Sequence, residues 1–341
     1  MAAQSHTGLP HFLSPHVAWA VADRSNVVTS TTENFLPARP LVSGGLLVLI
    51  AAVGFSAKAV LVKLAYAYSP QLDAITLMTL RMLLSLPCFL IVALWARRNG
   101  AQRRLSFREA ATVAGLGILG FYAAGYLDFA GLSYITAGLE RLILFLYPTL
   151  VVLFSAVFYR RRLHPRERLA LLLSYLGIAL VFGSHAFVFT PQLVLGATLV
   201  FGAALSFALY ILISGNVVGR IGSTRFTAYV MTSACIASII HFLMTHHGMA
   251  ALDIPWRVYG IVILMAVFST VIPAFLFNAG MQRIGANPTS IISSIGPVMT
   301  LFFAYVLLGE TLTPAQMLGT LLVIAGVMIV SIRGKGSGER Q

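Results

Sequence analysis

Acidic residues are scarce in this chain. Only 10 Asp and Glu stand among 341 residues, and charged residues of both signs make up 10%. A soluble domain carries roughly 25% charged residues, so this chain has too few to clothe a water-facing surface. Cysteine is nearly absent as well. Cys88 and Cys235 both fall inside apolar stretches, which argues against a disulfide framework and leaves the redox compartment unread. HExxH, CxxC, GxSxG and P-loop sequences are missing. No catalytic residue, resident cofactor or metal centre is therefore expected, and the chain does not read as an enzyme. His246 and His247 lie beside Gly248 in a short polar stretch and read as loop rather than as metal ligands. A net charge of +13 might point to nucleic acid. The basic residues, however, sit in short loops between apolar runs rather than on a soluble domain, so nucleic acid is excluded as a partner.

What the chain has in abundance is hydrophobic sequence, 58% of it, with a mean hydropathy of +0.89. Residues 1–41 are polar, dotted with proline and lack both helical periodicity and a signal-peptide core. They read as a disordered cytoplasmic tail or an over-extended gene start. From there the chain is a series of apolar runs, each near the roughly 20 residues that cross a bilayer core of about 30 Å. Their approximate limits are 43–65, 73–95, 110–131, 136–158, 168–186, 193–214, 226–245, 257–279, 287–308 and 314–332. The fold predicted is an all-α integral membrane protein of ten transmembrane helices, with a short tail at 333–341.

Basic residues set the orientation, because positive loops stay on the cytoplasmic side. The segment after the second run holds Arg97, Arg98, Arg103, Arg104 and Arg108, and the one after the fourth holds Arg160, Arg161, Arg162, Arg166 and Arg168. Arg220 and Arg225 follow the sixth run and Arg283 the eighth. With the tails included, eighteen basic residues lie on one side against one, Arg257, on the other. Both termini are predicted to be cytoplasmic, which requires an even number of spans.

The chain also repeats itself. A shift of 149 positions aligns residues 131–181 with 280–330 without a gap, giving 14 identities in 51 positions. Among them Gly131 falls on Gly280, Pro148 on Pro297, Pro165 on Pro314 and Gly177 on Gly326. A shift near 152 sets Gly44 on Gly196 and Phe55 on Phe207. The duplication therefore covers runs 1–5 (residues 42–186) and 6–10 (191–332). Five is odd, so the second copy enters the membrane from the opposite side. Inverted repeats of this kind are a recurring design in secondary transporters, whose halves exchange outward- and inward-open shapes around a midplane site.

The stretch at 131–163, GLSYITAGLERLILFLYPTLVVLFSAVFYRRRL, and its partner at 280–312, GMQRIGANPTSIISSIGPVMTLFFAYVLLGETL, carry a family resemblance. They are similar to the two halves of the EamA-type family of the drug/metabolite transporter superfamily. Each half of that family has an Ala-rich entry, a mid-helix Pro, an apolar run ending in Gly-Glu and a Gly-containing last helix. Leu308-Gly309-Glu310 with Gly319 and Gly326 fits that pattern, and Lys63 matches the usual Lys at the end of the first helix. The first half departs from it, with Arg161 in place of Glu and Val53-Gly54 in place of Trp-Gly. The resemblance implies a secondary transporter of a small metabolite or amphipathic compound in a bacterial cytoplasmic membrane, with export slightly favoured over import. A flippase of the same fold and a polytopic membrane enzyme are the alternatives, the latter resting on Asp128 with Glu140. The partners expected are a small-molecule substrate and the bilayer, with a homodimer left open.

The candidate pathway residues are of two kinds. Pro148, preceded by Tyr147, and Pro297, preceded by Gly296, occupy equivalent mid-span positions. Each removes a helical hydrogen bond, which is tolerated where protein or a water-filled cavity supplies a partner. The other kind is ionisable. Lys58, Lys63, Arg81, Asp128, Glu140 and Arg141 lie inside spans of the first repeat, and each costs roughly 2.5–3.5 kcal/mol if left facing lipid at the bilayer centre. Arg81 and Glu140 are expected in one polar cluster, with Asp128 and Lys63 as further members and Glu140 able to exchange a proton. The second repeat offers neutral groups instead, with Asn278 first among them.

Overall fold

A computed structural model describes residues 41–99, 105–158, 160, 162–184, 190–246, 249–284, 289, 292–293, 295–311 and 313–331. The predicted tails and His247 lie outside the described residues. Proline, capping residues and apolar length divide the chain into ten helical rods. The first five are α1 (Leu41–Tyr68), α2 (Ala74–Asn99), α3 (Phe107–Leu132), α4 (Ala137–Phe158) and α5 (Pro165–Ser184). The second five are α6 (Pro191–Ile221), α7 (Ser223–Thr245), α8 (Trp256–Ala266, Val267–Val271 and Ile272–Ile284), α9 (Gly296–Leu308) and α10 (Pro314–Ser331). No strand occurs among the described residues.

Seven of the rods, α1 to α4 and α6 to α8, are long and apolar enough to cross a membrane. α9 and α10 are apolar but shorter. α5 spends its first turn on Arg166, Glu167 and Arg168. Among the described residues ten rods are counted, and seven of them meet the length and apolarity of a span.

The rods begin where the sequence supplies partners for free helical N–H groups. Ser106 and Glu109 bond reciprocally at the start of α3, at 3.3 and 2.8 Å. Thr313 and Gln316 do the same at α10, at 3.0 and 3.2 Å. Both arrangements are capping boxes. The two rods beginning at Pro165 and Pro314 are repeat equivalents. Glu167 takes the His164 N–H at the first just as Gln316 takes the Thr313 N–H at the second.

Two further features recur at the 149-residue spacing. Both α3 and α8 contain a π-helical segment, Ile118–Ala123 in one and Val267–Val271 in the other. A π segment adds a residue to one turn and commonly marks a functional site. The glycine contacts recur as well, and they join one repeat to the other. Gly131 on α3 packs against Gly196 and Val200 on α6; in the equivalent place Gly280 on α8 packs against Gly44 and Val48 on α1. A β-carbon on Gly131 would lie 2.9 Å from the Gly196 carbonyl oxygen, and one on Gly280 would lie 2.8 Å from that of Gly44. Small residues let helices approach this closely. α5 and α10 pack in the same manner through Gly177, Gly319 and Gly326.

The loops sort into two ends. Asp73, after α1, pairs with His246, after α7, at 3.5 Å. Arg257 stacks over Tyr68, 5.7 Å from its ring centre, and Lys63 reaches the Leu132 carbonyl at the end of α3, at 3.2 Å. The ends of α1, α3 and α7 and the start of α8 therefore gather at one end of the bundle. The outer surface is apolar, with Ile91, Leu94, Leu176, Ile240, Leu243 and Leu321 all exposed. Exposed aromatic residues include Trp95 and Phe107 in one pair of rods and Trp256 with Tyr259 on α8. This is the surface of a protein whose solvent is lipid.

Candidate functional site

A break in α4 and the start of α9 position the site. α4 is interrupted by a turn at Phe145-Leu146, and its second piece starts at Tyr147 with Pro148 as its second residue. α9 starts at Gly296 with Pro297 second. At the beginning of a helical piece the missing proline N–H leaves no bond unmade. The two prolines thus sit at restarts of helix rather than inside continuous rods.

Buried charge collects at the α4 break. Glu140 is fully buried and Asp128 is 2% exposed. Lys58 Nζ donates to Asp128 Oδ2 at 2.5 Å, joining α1 to α3. The Glu140 carboxyl lies within hydrogen-bonding reach of Asp128. Beyond a proton that the two carboxyls can share, neither Glu140 oxygen nor Asp128 Oδ1 has a donor among the described residues. A buried polar atom without a partner is costly, of the order of 1–3 kcal/mol and more if charged. This cluster is therefore built at the expense of stability. Arg141, next in sequence, turns the other way along the helix and lays its guanidinium against Gly296. A β-carbon at residue 296 would lie 2.6 Å from Arg141 Nη2, so glycine is what seats that side chain at the head of α9. Ser56 ties the same place to α1, donating to the Gly296 carbonyl at 3.0 Å, and Thr300 donates back to the Ser56 carbonyl at 3.1 Å.

Arg81 stands apart from Glu140. Its guanidinium lies over the Phe129 ring, 4.7 Å from the centre, with Nη1 at 3.4 Å from the Thr270 hydroxyl. Thr270 belongs to the π segment of α8, and its hydroxyl donates to the Met265 carbonyl five residues back, at 3.0 Å. Arg81 also feels the charge of Asp128. No hydrogen bond or ion pair joins Arg81 to Glu140 among the described residues. Lys63 lies at the end of the bundle, on the Leu132 carbonyl. Asn278 bonds the Thr227 hydroxyl at 2.9 Å, linking α8 to α7. Tyr147 faces an aromatic group, 5.1 Å from Phe207 and 6.1 Å from Phe145 between ring centres. Phe207 continues to Tyr210 and Phe121. Tyr122 bonds His241 at 2.8 Å. No group of three or more metal-ligating side chains occurs among the described residues.

Lys58 and Arg141 were read from sequence as ionisable residues inside spans but not placed in the expected cluster, Gly296 was noted only as the neighbour of Pro297, and Ser56 was not singled out. Lys58 and Arg141 carried a signal, since both are ionisable residues inside apolar runs. Ser56 and Gly296 carried little, because their role depends on which rod lies opposite.

Comparison with known proteins bears on the whole chain. The sequence profile of the EamA-like transporter family matches residues 42–183 and again 194–332. The chain belongs to this family. Among EamA-like relatives, the uncharacterised transporter YcbK of Bacillus subtilis is 32% identical over 288 residues, covering 82% of this chain and 90% of that one. The uncharacterised transporter YyaM of the same organism is 27% identical over 235 residues, covering 68% and 77%. A solved crystal structure shares the EamA-like fold with a TM-score of 0.59 at 19% identity, covering 85% of this chain and 98% of the other. The two profile matches fall on the two halves that share π segments and glycine contacts, so the duplication read from sequence is the two-repeat architecture of the family. An integral membrane transporter of small substrates is what these relatives and the apolar helices support.

Proposed function

We propose that this chain is a secondary carrier that moves a small charged or zwitterionic metabolite across a bacterial cytoplasmic membrane, with export the favoured direction. In this reading all ten rods cross the bilayer, the two halves insert in opposite senses, and both termini face the cytoplasm. Alternating access comes from the two halves rocking around a site between them. The Lys58, Asp128, Glu140 and Arg141 cluster, bordered by Arg81 and Tyr147, lies beside the helix restarts at Pro148 and Pro297 and is the substrate site.

One observation carries this assignment. Three carboxyl oxygens of Asp128 and Glu140 are buried beside the break in α4 with no donor outside the pair among the described residues. Ionisable residues inside a membrane are expensive and mark pathways, and a fold that wanted only stability would satisfy or remove them. Arg141 supplies a cation for a substrate's negative group and Glu140 an acceptor for its positive one. Gly296 of the second repeat, bonded by Ser56, borders Arg141. Glu140→Gln and Arg81→Ala, reconstituted at normal abundance, test it. Lost transport with intact folding supports the site, parallel loss of folding and transport marks a structural cluster, and normal transport in both removes it.

A further inference from the structure

The α9–α10 loop of the second repeat reaches across to the first. Gly309 ends α9 in the left-handed conformation, φ 66°, and the Glu310 N–H bonds back to the Ala304 carbonyl at 3.2 Å. A left-handed glycine closing a helix fixes the direction in which the next side chain leaves. The Glu310 carboxylate then accepts two backbone N–H groups from the first turn of α4: Ala137 N–H on Oε1 at 3.0 Å and Gly138 N–H on Oε2 at 3.3 Å. Thr136 takes the third, from Leu139, at 3.2 Å. Glu310 therefore completes the cap of a helix in the other repeat. A carboxylate at a helix N-terminus is favoured by the helix dipole as well as by the bonds themselves. Lys63 lies within electrostatic reach of Glu310.

Glu140 is three residues further along the same helix, about 4.5 Å at 1.5 Å per residue. The clamp therefore covers the substrate site directly, at the end of the bundle that gathers the ends of α1 and α3. The sequence of the first repeat does not supply the same residue. At the 149-residue spacing the equivalent of Glu310 is Arg161, a cation, which a helix N-terminus repels. The carboxylate that makes this contact is therefore present in one half only.

We infer that the Glu310 clamp on Ala137 and Gly138 is the outer gate of the carrier, and that its one-sidedness biases the resting protein toward the outward-closed shape. The inference rests on the carrier reading above. Opening to the outside separates Glu310 from the α4 terminus, and closing restores both bonds.

The test uses full-length protein with Cys88 and Cys235 replaced and Ser56→Cys as reporter, since Ser56 is fully buried beside Gly296. An impermeant thiol reagent is applied to intact cells for the outer face and to inverted vesicles for the inner. The parent is expected to label mainly from inside. Glu310→Ala is expected to raise outer labelling about tenfold or more and to lower inner labelling, since two charge-assisted bonds are lost. Ala137→Pro attacks the clamp from the other side. It deletes one donor at a first helical position, where proline is tolerated, and is expected to act in the same direction with folding intact. Outer labelling within about twofold of the parent in both variants, with inner labelling preserved, overturns the gate alone. Labelling from neither face in any folded variant overturns the carrier reading beneath it.

Discussion

Removing Lys58 isolates the physical cost of the buried cluster. Lys58→Met keeps the length and apolar stem of the side chain but withdraws the donor that Asp128 Oδ2 receives. The side chain of Asp128 is 2% exposed and that of Lys58 18%, so water does not replace the ammonium without local opening. Breaking a buried pair by removing one partner costs about 3–5 kcal/mol, because the other charge stays behind uncompensated. Asp128→Leu is expected to cost less, since Lys58 is the more exposed member and its long stem can carry its charge toward water. The double variant Lys58→Met/Asp128→Leu removes both charges together and is expected to be more stable than the sum of the single effects by about 2 kcal/mol. Reversible unfolding of the purified protein in mixed micelles, followed by circular dichroism, measures all four proteins. A Lys58→Met protein within about 0.5 kcal/mol of the parent, or a cycle that is simply additive, refutes the claim that this pair is buried and coupled.

Three further outcomes are expected. Gly131→Ala and Gly280→Ala occupy equivalent crossings, with β-carbon approaches of 2.9 and 2.8 Å to backbone oxygen. Each should destabilise by about 1–3 kcal/mol, and thermal unfolding that changes in only one of them contradicts the paired packing. Single cysteines at Gln102 and Pro165 should react with an impermeant reagent only in inverted vesicles; labelling on intact cells overturns the assigned orientation. Pro148→Ala and Pro297→Ala should slow transport with abundance unchanged, because each proline sets a helix start beside the site. Wild-type rates in both would leave these starts without a part in the cycle.

Much of this architecture was legible in sequence because the bilayer imposes a simple code. Apolar length located the rods, and the start expected at residue 314 is met at Pro314, whereas the fifth rod begins at Pro165 rather than at 168. The register of Gly131 with Gly280 marked them as repeat equivalents, and the structure sets them in equivalent packing against Gly196 and Gly44. The π segments left no sequence signal, since Ile118–Ala123 and Val267–Val271 are apolar like their neighbours. At the site, Asp128 and Glu140 were visible as carboxyls inside apolar runs. Which cation meets Asp128 was not visible. Lys58, Lys63, Arg81 and Arg141 are alike by that criterion, and only the crossing of α1 over α3 selects Lys58. Glu310 was read as part of a family pattern. Its contact with Ala137 and Gly138 spans more than 170 residues, and no periodicity within either helix encodes it.

Export or import of a charged metabolite through the Glu140 site is the central claim. Untargeted comparison of metabolites inside and outside cells carrying the parent, the Glu140→Gln variant or neither tests it most directly, with membrane abundance of the two proteins matched. At least one charged or zwitterionic metabolite should redistribute with the parent and return to the baseline of cells lacking the protein in Glu140→Gln. No redistribution with the parent, or an unchanged one with Glu140→Gln, would contradict the account.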